Sequence, residues 1–171
     1  MFGSRINLDT TDVKILSGEE AGLHYPRRGG NHSDMSLNPQ LLSWLICDGV
    51  HIDPSSGKHY ILGVFSHIRA RTFPVRHPRM VFFLTVAGLR EGKHQLKITM
   101  GLPMEEQKTL VDREFEAQSP LQRISLINEF QGLGFDAPGQ YAISIDIDDE
   151  TLLVSALPVI GPEGSQAPGM S

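Results

Sequence analysis

The chain has 171 residues, 40% hydrophobic and 20% charged, the balance of an ordinary globular protein with room for one sizeable core. Its formal net charge of −5 argues against a bulk nucleic-acid binder, because phosphate-driven binding needs net or strongly local positive charge. The single cysteine, Cys47, excludes an intrachain disulfide and any multi-cysteine zinc site.

In chain order, residues 1–40 read as a flexible N-terminal arm. Its opening, MFGSRINLDTTDVK, has no continuous apolar segment of the kind a secretory signal needs. Gly-rich and polar stretches around Ser17–Glu20 and Arg27–Ser36 surround one apolar segment, Val13-Lys14-Ile15-Leu16, which reads as a docking strand. No stretch of the chain approaches roughly 18 consecutive apolar residues, so no transmembrane helix is expected and the default compartment is the cytoplasm. Residues 161–171 read as a disordered tail.

Between arm and tail the period is two. Tyr60, Leu62 and Val64 alternate with smaller or polar residues, as do Leu96, Ile98, Met100 and Leu102, and again Tyr141, Ile143, Ile145 and Ile147. That alternation describes antiparallel strands with one buried and one wet face. Eight strands are expected, over 42–52, 59–68, 80–87, 94–102, 108–116, 121–130, 140–147 and 152–160. Asp53-Pro54-Ser55-Ser56-Gly57-Lys58 has the chemistry of a hairpin turn between the first two. Pro103–Lys108, Asp136–Gln140 and Asp148–Glu150 are further reversals. Phe73-Pro74-Val75-Arg76-His77-Pro78 holds two prolines that cannot lie in a central strand, and it reads as the crossing between two sheets. The segment 104–118 has both helical and strand features, and Thr109, Val111 and Phe115 favour a strand. The fold class expected is all-β: an antiparallel, immunoglobulin-like β-sandwich of about seven to nine strands over residues 41–160. Its core should include Trp44, Ile46, Val50, Leu62, Val64, Phe83, Leu96, Ile98, Leu126, Tyr141, Ile143, Ile145 and Val154.

Two resemblances sharpen that expectation. Ala137-Pro138-Gly139-Gln140-Tyr141-Ala142-Ile143, followed by Leu152–Val159, resembles the last two strands of immunoglobulin-like sandwiches, where a Pro-Gly turn precedes a strand opened by Tyr. Ile46-Cys47-Asp48, Asp53-Pro54, Gly57-Lys58, Leu62-Gly63-Val64-Phe65, Phe73-Pro74 and His77-Pro78-Arg79 together resemble a family of uncharacterised bacterial proteins, over roughly residues 42–160. The resemblance implies a β-sandwich from a bacterial, intracellular source, and it implies no activity.

The chemistry-bearing residues form no catalytic pattern. Cys47 lies within the apolar run Trp44-Leu45-Ile46 and reads as a small buried hydrophobe. The seven histidines, among them His51 and His59 beside the first turn and His67 and His77 beside the crossing, lack the spacing of a zinc site and read as exposed strand ends. Asp146, Asp148, Asp149 and Glu150 cluster at a hairpin tip, where a solvated turn competes with a calcium site that would need oxygens from other loops. Neither a Gly-x-Ser-x-Gly elbow nor a phosphate-binding Gly-rich loop occurs. No cofactor is expected.

Charge is distributed unevenly. Pro54–Arg90 holds six basic residues and no acidic one, whereas Ile124 to the C-terminus holds seven acidic residues and no Lys or Arg. Three readings compete: pairing within the monomer, opposite poles that attract further copies or an acidic partner, and phosphate or nucleic-acid capture. The last is weakened because only Phe73 interleaves with the arginines. The function expected is a non-enzymatic protein-interaction or assembly module, with Arg69, Arg71, Arg76, His77 and Arg79 as the binding residues and a protein partner or self-association, without nucleic acid or membrane. The alternative is a small metal- or anion-dependent enzyme using the His/Arg residues around 67–79.

Overall fold

Alternation of apolar and polar residues becomes strand throughout. The computed structural model describes residues 38–162, so the expected arm lies outside the described residues except for its last three positions, and so does nearly all of the expected tail. The described chain forms nine strands and no helix: β1 (Gln40–Ile52), β2 (His59–Val64), β3 (Ile68–Arg69), β4 (Val75–Ala87), β5 (Gly92–Gly101), β6 (Lys108–Ala117), β7 (Ile124–Phe135), β8 (Gly139–Ile147) and β9 (Glu150–Ile160). They build a four-stranded sheet ordered β2-β1-β4-β7 and a five-stranded sheet ordered β3-β9-β8-β5-β6. The all-β, two-sheet architecture is the one expected, with one difference. β3 runs parallel to β9, with Ile68 opposite Val159 and Arg69 opposite Ile160. No helix of the described residues is long and apolar enough to cross a membrane.

Local chemistry sets the reversals. In the β1–β2 hairpin the Asp53 carboxylate accepts hydrogen bonds from the Ser55 amide at 2.9 Å, the Ser55 hydroxyl at 2.7 Å and the Ser56 hydroxyl at 2.5 Å. Those donors, Ser56 first, hold its pKa down to about 2. Gly57 supplies the positive φ, +67°, that closes the turn. The segment with mixed features is strand β6, because Val111, Phe115 and Ala117 are buried while Asp112, Glu114 and Glu116 are exposed, a period of two.

The proline segment needs a correction. After β2 the chain leaves the four-stranded sheet, lends β3 to the other sheet, and returns at Val75. The crossing therefore ends before the second proline, and Pro78 lies inside β4. It is tolerated because β1 accompanies β4 only as far as the Cys47–Val81 pair. From Val75 to Met80 only β7 pairs with β4, so the missing N–H of Pro78 breaks no ladder on the open side.

One apolar interior joins the sheets. β8 contributes Tyr141, Ile143, Ile145 and Ile147, β5 contributes Leu96, Ile98 and Met100, and the four-stranded sheet answers with Ile46, Met80, Phe82, Leu84, Val86 and Leu126. Of the expected core, Trp44 and Val50 are half-buried, and Leu62, Val64 and Val154 are 56%, 62% and 71% exposed. The alternation of β2 was sound but its face was reversed. Leu62 lies opposite Gly49 and Val64 opposite Cys47, on the side of the sheet away from the core. Val154 lies opposite Ser144 on the outer face of the five-stranded sheet, while Leu153, opposite Ile145, packs inward.

Among the described residues one polar side chain is buried with this interior. Asn128 on β7 is 4% exposed, and its Oδ1 accepts bonds from Arg113 Nε at 3.2 Å and Nη2 at 2.9 Å, across from β6. Its Nδ2 donates to the Phe82 carbonyl at 3.4 Å. Burial lowers the pKa of Arg113, so the guanidinium depends on this partner.

The face assignment has a direct consequence. Ile145→Ala should cost about 2–5 kcal/mol in denaturant unfolding, and Leu62→Ala and Val154→Ala should each stay within about 0.5 kcal/mol.

Candidate interaction surface

The arginine-rich segment draws its residues from both sheets. Arg69 lies on β3, Arg71 in the link that follows, and Arg76, His77 and Arg79 on β4. The link is anchored by the Ala70 amide, which donates to the Ile160 carbonyl at 2.9 Å. All four arginines are exposed.

Their partners differ. Arg79 makes a two-pronged pair with Glu129 of β7, Nε to Oε1 at 2.8 Å and Nη2 to Oε2 at 3.0 Å, and the Glu129 bonds raise its pKa. Its guanidinium also lies over Gly49, 3.5 Å from where a β-carbon would stand. Arg76 reaches only the Gly132 carbonyl, at 3.5 Å, and Arg69 donates to His67 Nε2 at 3.4 Å. Among the described residues neither of these two makes an ion pair, nor does Arg71. Pairing within the monomer is therefore realised for Arg79, while among the described residues the other three have no carboxylate partner.

His77 departs from the exposed strand end expected of it. It is half-buried, its ring 5.1 Å from that of Phe65, and its Nε2 is enclosed without a hydrogen-bond partner among the described residues. It belongs to the packing beneath the arginines more than to their charged surface.

The acidic cluster is occupied by other work. Asp148 and Asp149, with φ of +51° and +65°, form the two-residue turn between β8 and β9, a conformation aspartate tolerates better than most residues. Asp146 accepts bonds from Ser144 at 3.1 Å and Thr151 at 2.5 Å. Gln95, Lys97, Asp112, Asp146 and Asp149 line a polar hollow of about 300 Å³ on the outer face of the five-stranded sheet. Among the described residues no three His, Cys, Asp or Glu side chains converge as a metal site. Cys47 is buried and free, its thiol directed at the Gly49 and Val81 carbonyls at 3.5 and 3.8 Å, and burial raises its pKa.

One constellation had no signal in the sequence. His94 Nδ1 lies 2.5 Å from Asp148 Oδ2, and its Nε2 lies 2.8 Å from the Arg90 carbonyl. Asp148 Oδ1 also accepts the Gln95 amide at 2.8 Å. A carboxylate and a carbonyl can only accept, so both ring nitrogens must donate and the ring is an imidazolium. Burial lowers its pKa, but the Asp148 and Arg90 bonds and the Asp148 charge outweigh it and the net shift is upward. The two residues are 54 positions apart, and only the pairing of β5 with β8 and β9's turn brings them together.

Because the folded pKa lies above the unfolded one, this stabilisation is fully present below about pH 6.5 and is lost as pH rises through the folded value. Denaturant unfolding should show stability falling from pH 6 toward higher pH, and His94→Gln should cost about 1–3 kcal/mol at pH 6 and flatten that slope. An unchanged slope in the variant would assign the pH dependence to other groups.

A sequence family described as a family of unknown function, DUF6941, matches residues 42–160. No curated protein matches the chain.

Proposed function

The chain belongs to the DUF6941 family, whose function is unknown, and from its surface we propose that it is a non-enzymatic protein-interaction or assembly module. The observation that carries the proposal is the exposed arginine set. Arg69, Arg71 and Arg76 stand where the chain changes sheets, without ion pairs among the described residues, on a protein of net charge −5. Exposed guanidiniums held on strand ends are donors in a fixed fork, suited to carboxylates of an acidic protein partner. An uneven field of this kind speeds encounter and selects against like-charged partners.

An immunoglobulin-like relationship goes with this reading. It is supported by Tyr141, whose hydroxyl donates to the Ala137 carbonyl at 2.9 Å, the arrangement of a tyrosine corner. The reading includes a bacterial source, which the sequence resemblance supports, and the cytoplasm as the default compartment.

The test uses the full chain as bait and the triple variant Arg69→Glu, Arg71→Glu, Arg76→Glu. An acidic partner captured by the wild type should bind the variant at least about tenfold more weakly, and should release in about 1 M salt, where the screening length falls to about 3 Å. Equal capture by the variant, or capture indifferent to salt, would remove the arginine surface from the account.

A further inference from the structure

Among the described residues the sandwich has four sheet edges, and they are defended unequally. β6 carries Lys108, Asp112, Arg113, Glu114 and Glu116. β7 carries Glu129 and is bent at Gly132, where φ is +63°. β3 is two residues long. Each of these is a recognised way of blocking the addition of a further strand. β2 reads His-Tyr-Ile-Leu-Gly-Val, with no Lys, Arg, Asp, Glu or Pro, and its one irregularity is Gly63 near its end, φ +64°.

The same strand carries the densest exposed apolar group. Tyr60, Leu62 and Val64 are each more than half exposed and lie together on the outer face, beside half-buried Leu45 of β1. The stretch of β9 beyond β3 is the other edge with little charge, but it carries one exposed large apolar side chain, Val154, and ends in Pro158 and the β3 pairing.

We infer that β2 is the contact through which two copies of this chain associate, joining antiparallel about a two-fold axis into one eight-stranded sheet. A two-fold contact sets a surface against itself, so a charged edge would oppose like with like. β2 brings no formal charge against its copy, which β6 and β7 would do. Opposed residues must share a face, so paired residue numbers sum to an even value. With Ile61 opposite Ile61 of the second copy, Tyr60 of each lies opposite Leu62 of the other, two aromatic–aliphatic pairs on the exposed face. The kink at Gly63 limits the ladder to about four residues per strand. That contact falls below the roughly 800 Å² per partner of a standard stable interface. The dimer is therefore concentration-dependent, half-dissociated at roughly 10–100 µM.

The contact uses none of Arg69, Arg71 and Arg76, the residues that carry the first proposal, so the two proposals fail separately. The experiment is light scattering on the full chain at about 0.3 mM, in low and in about 1 M salt. The wild type should show a weight-average mass at least about 1.6 times the monomer's in both, Leu62→Lys should show the monomer mass, and Val154→Lys should match the wild type. Ile61→Cys, oxidised at about 0.3 mM where the dimer is populated, should form an intermolecular disulfide that Leu62→Lys in the same chain suppresses. A monomeric wild type would overturn the inference. So would a dimer that survives Leu62→Lys, one lost equally in Val154→Lys, or one that salt alone dissociates, since salt would assign it to the charged poles.

Discussion

Interleaving of alternate side chains from two facing sheets is the constraint on which the remaining features rest. β8 lies inside the five-stranded sheet and sends Tyr141, Ile143, Ile145 and Ile147 into the interior, all buried. Opposite, β4 lies inside the four-stranded sheet and sends Met80, Phe82, Leu84 and Val86. Each fully buried side chain of this size contributes on the order of 1.5–3 kcal/mol by leaving water, so no surface interaction described above competes with the set. Because this interior fixes which residues face out, it also fixes where the arginines and the β2 edge stand.

The Asn128–Arg113 contact shows what that constraint tolerates. A polar amide at an inward position of β7 would be a fault if it were alone. It lies where the edges of the two sheets meet, so a guanidinium from β6 can reach it while Arg113 as a whole stays half-buried. Removing Arg113 would strand the amide oxygen, and removing Asn128 would strand a half-buried cation.

How much of this was legible in the residues depends on the kind of strand. β5 and β8 have one wet and one dry face, and period two located them and their inward residues, Leu96, Ile98, Ile143 and Ile145 among them, while β6, with the same two faces, also read in part as helix. β4 is buried on both faces from Met80 to Leu84, so its sequence is a continuous apolar run that carries no face information. β2 alternates cleanly but turns its apolar set outward, and periodicity cannot say which face of a strand meets the core. β3 is too short to have a period, and its parallel partner lies 91 residues along, from Ile68 to Val159. Of the arginine set, the exposure of Arg69, Arg71 and Arg76 could be foreseen from their type, but the capture of Arg79 by Glu129 could not, since it depends on the β4–β7 register.

Cys47 gives the molecule an internal reporter. It is fully buried between β2 and β4, and its thiol is held in the protonated form by burial. The thiolate of an accessible cysteine attacks a thiol-modifying reagent, and a buried, protonated Cys47 offers none, so the folded protein should be inert to it. Modification then waits on β1 parting from its neighbours, and where reclosing outpaces the reagent its rate is the opening equilibrium multiplied by the rate of an open thiol. Its rate reads out the opening free energy of the four-stranded sheet at the edge where β2 lies, one residue at a time and without any engineered label.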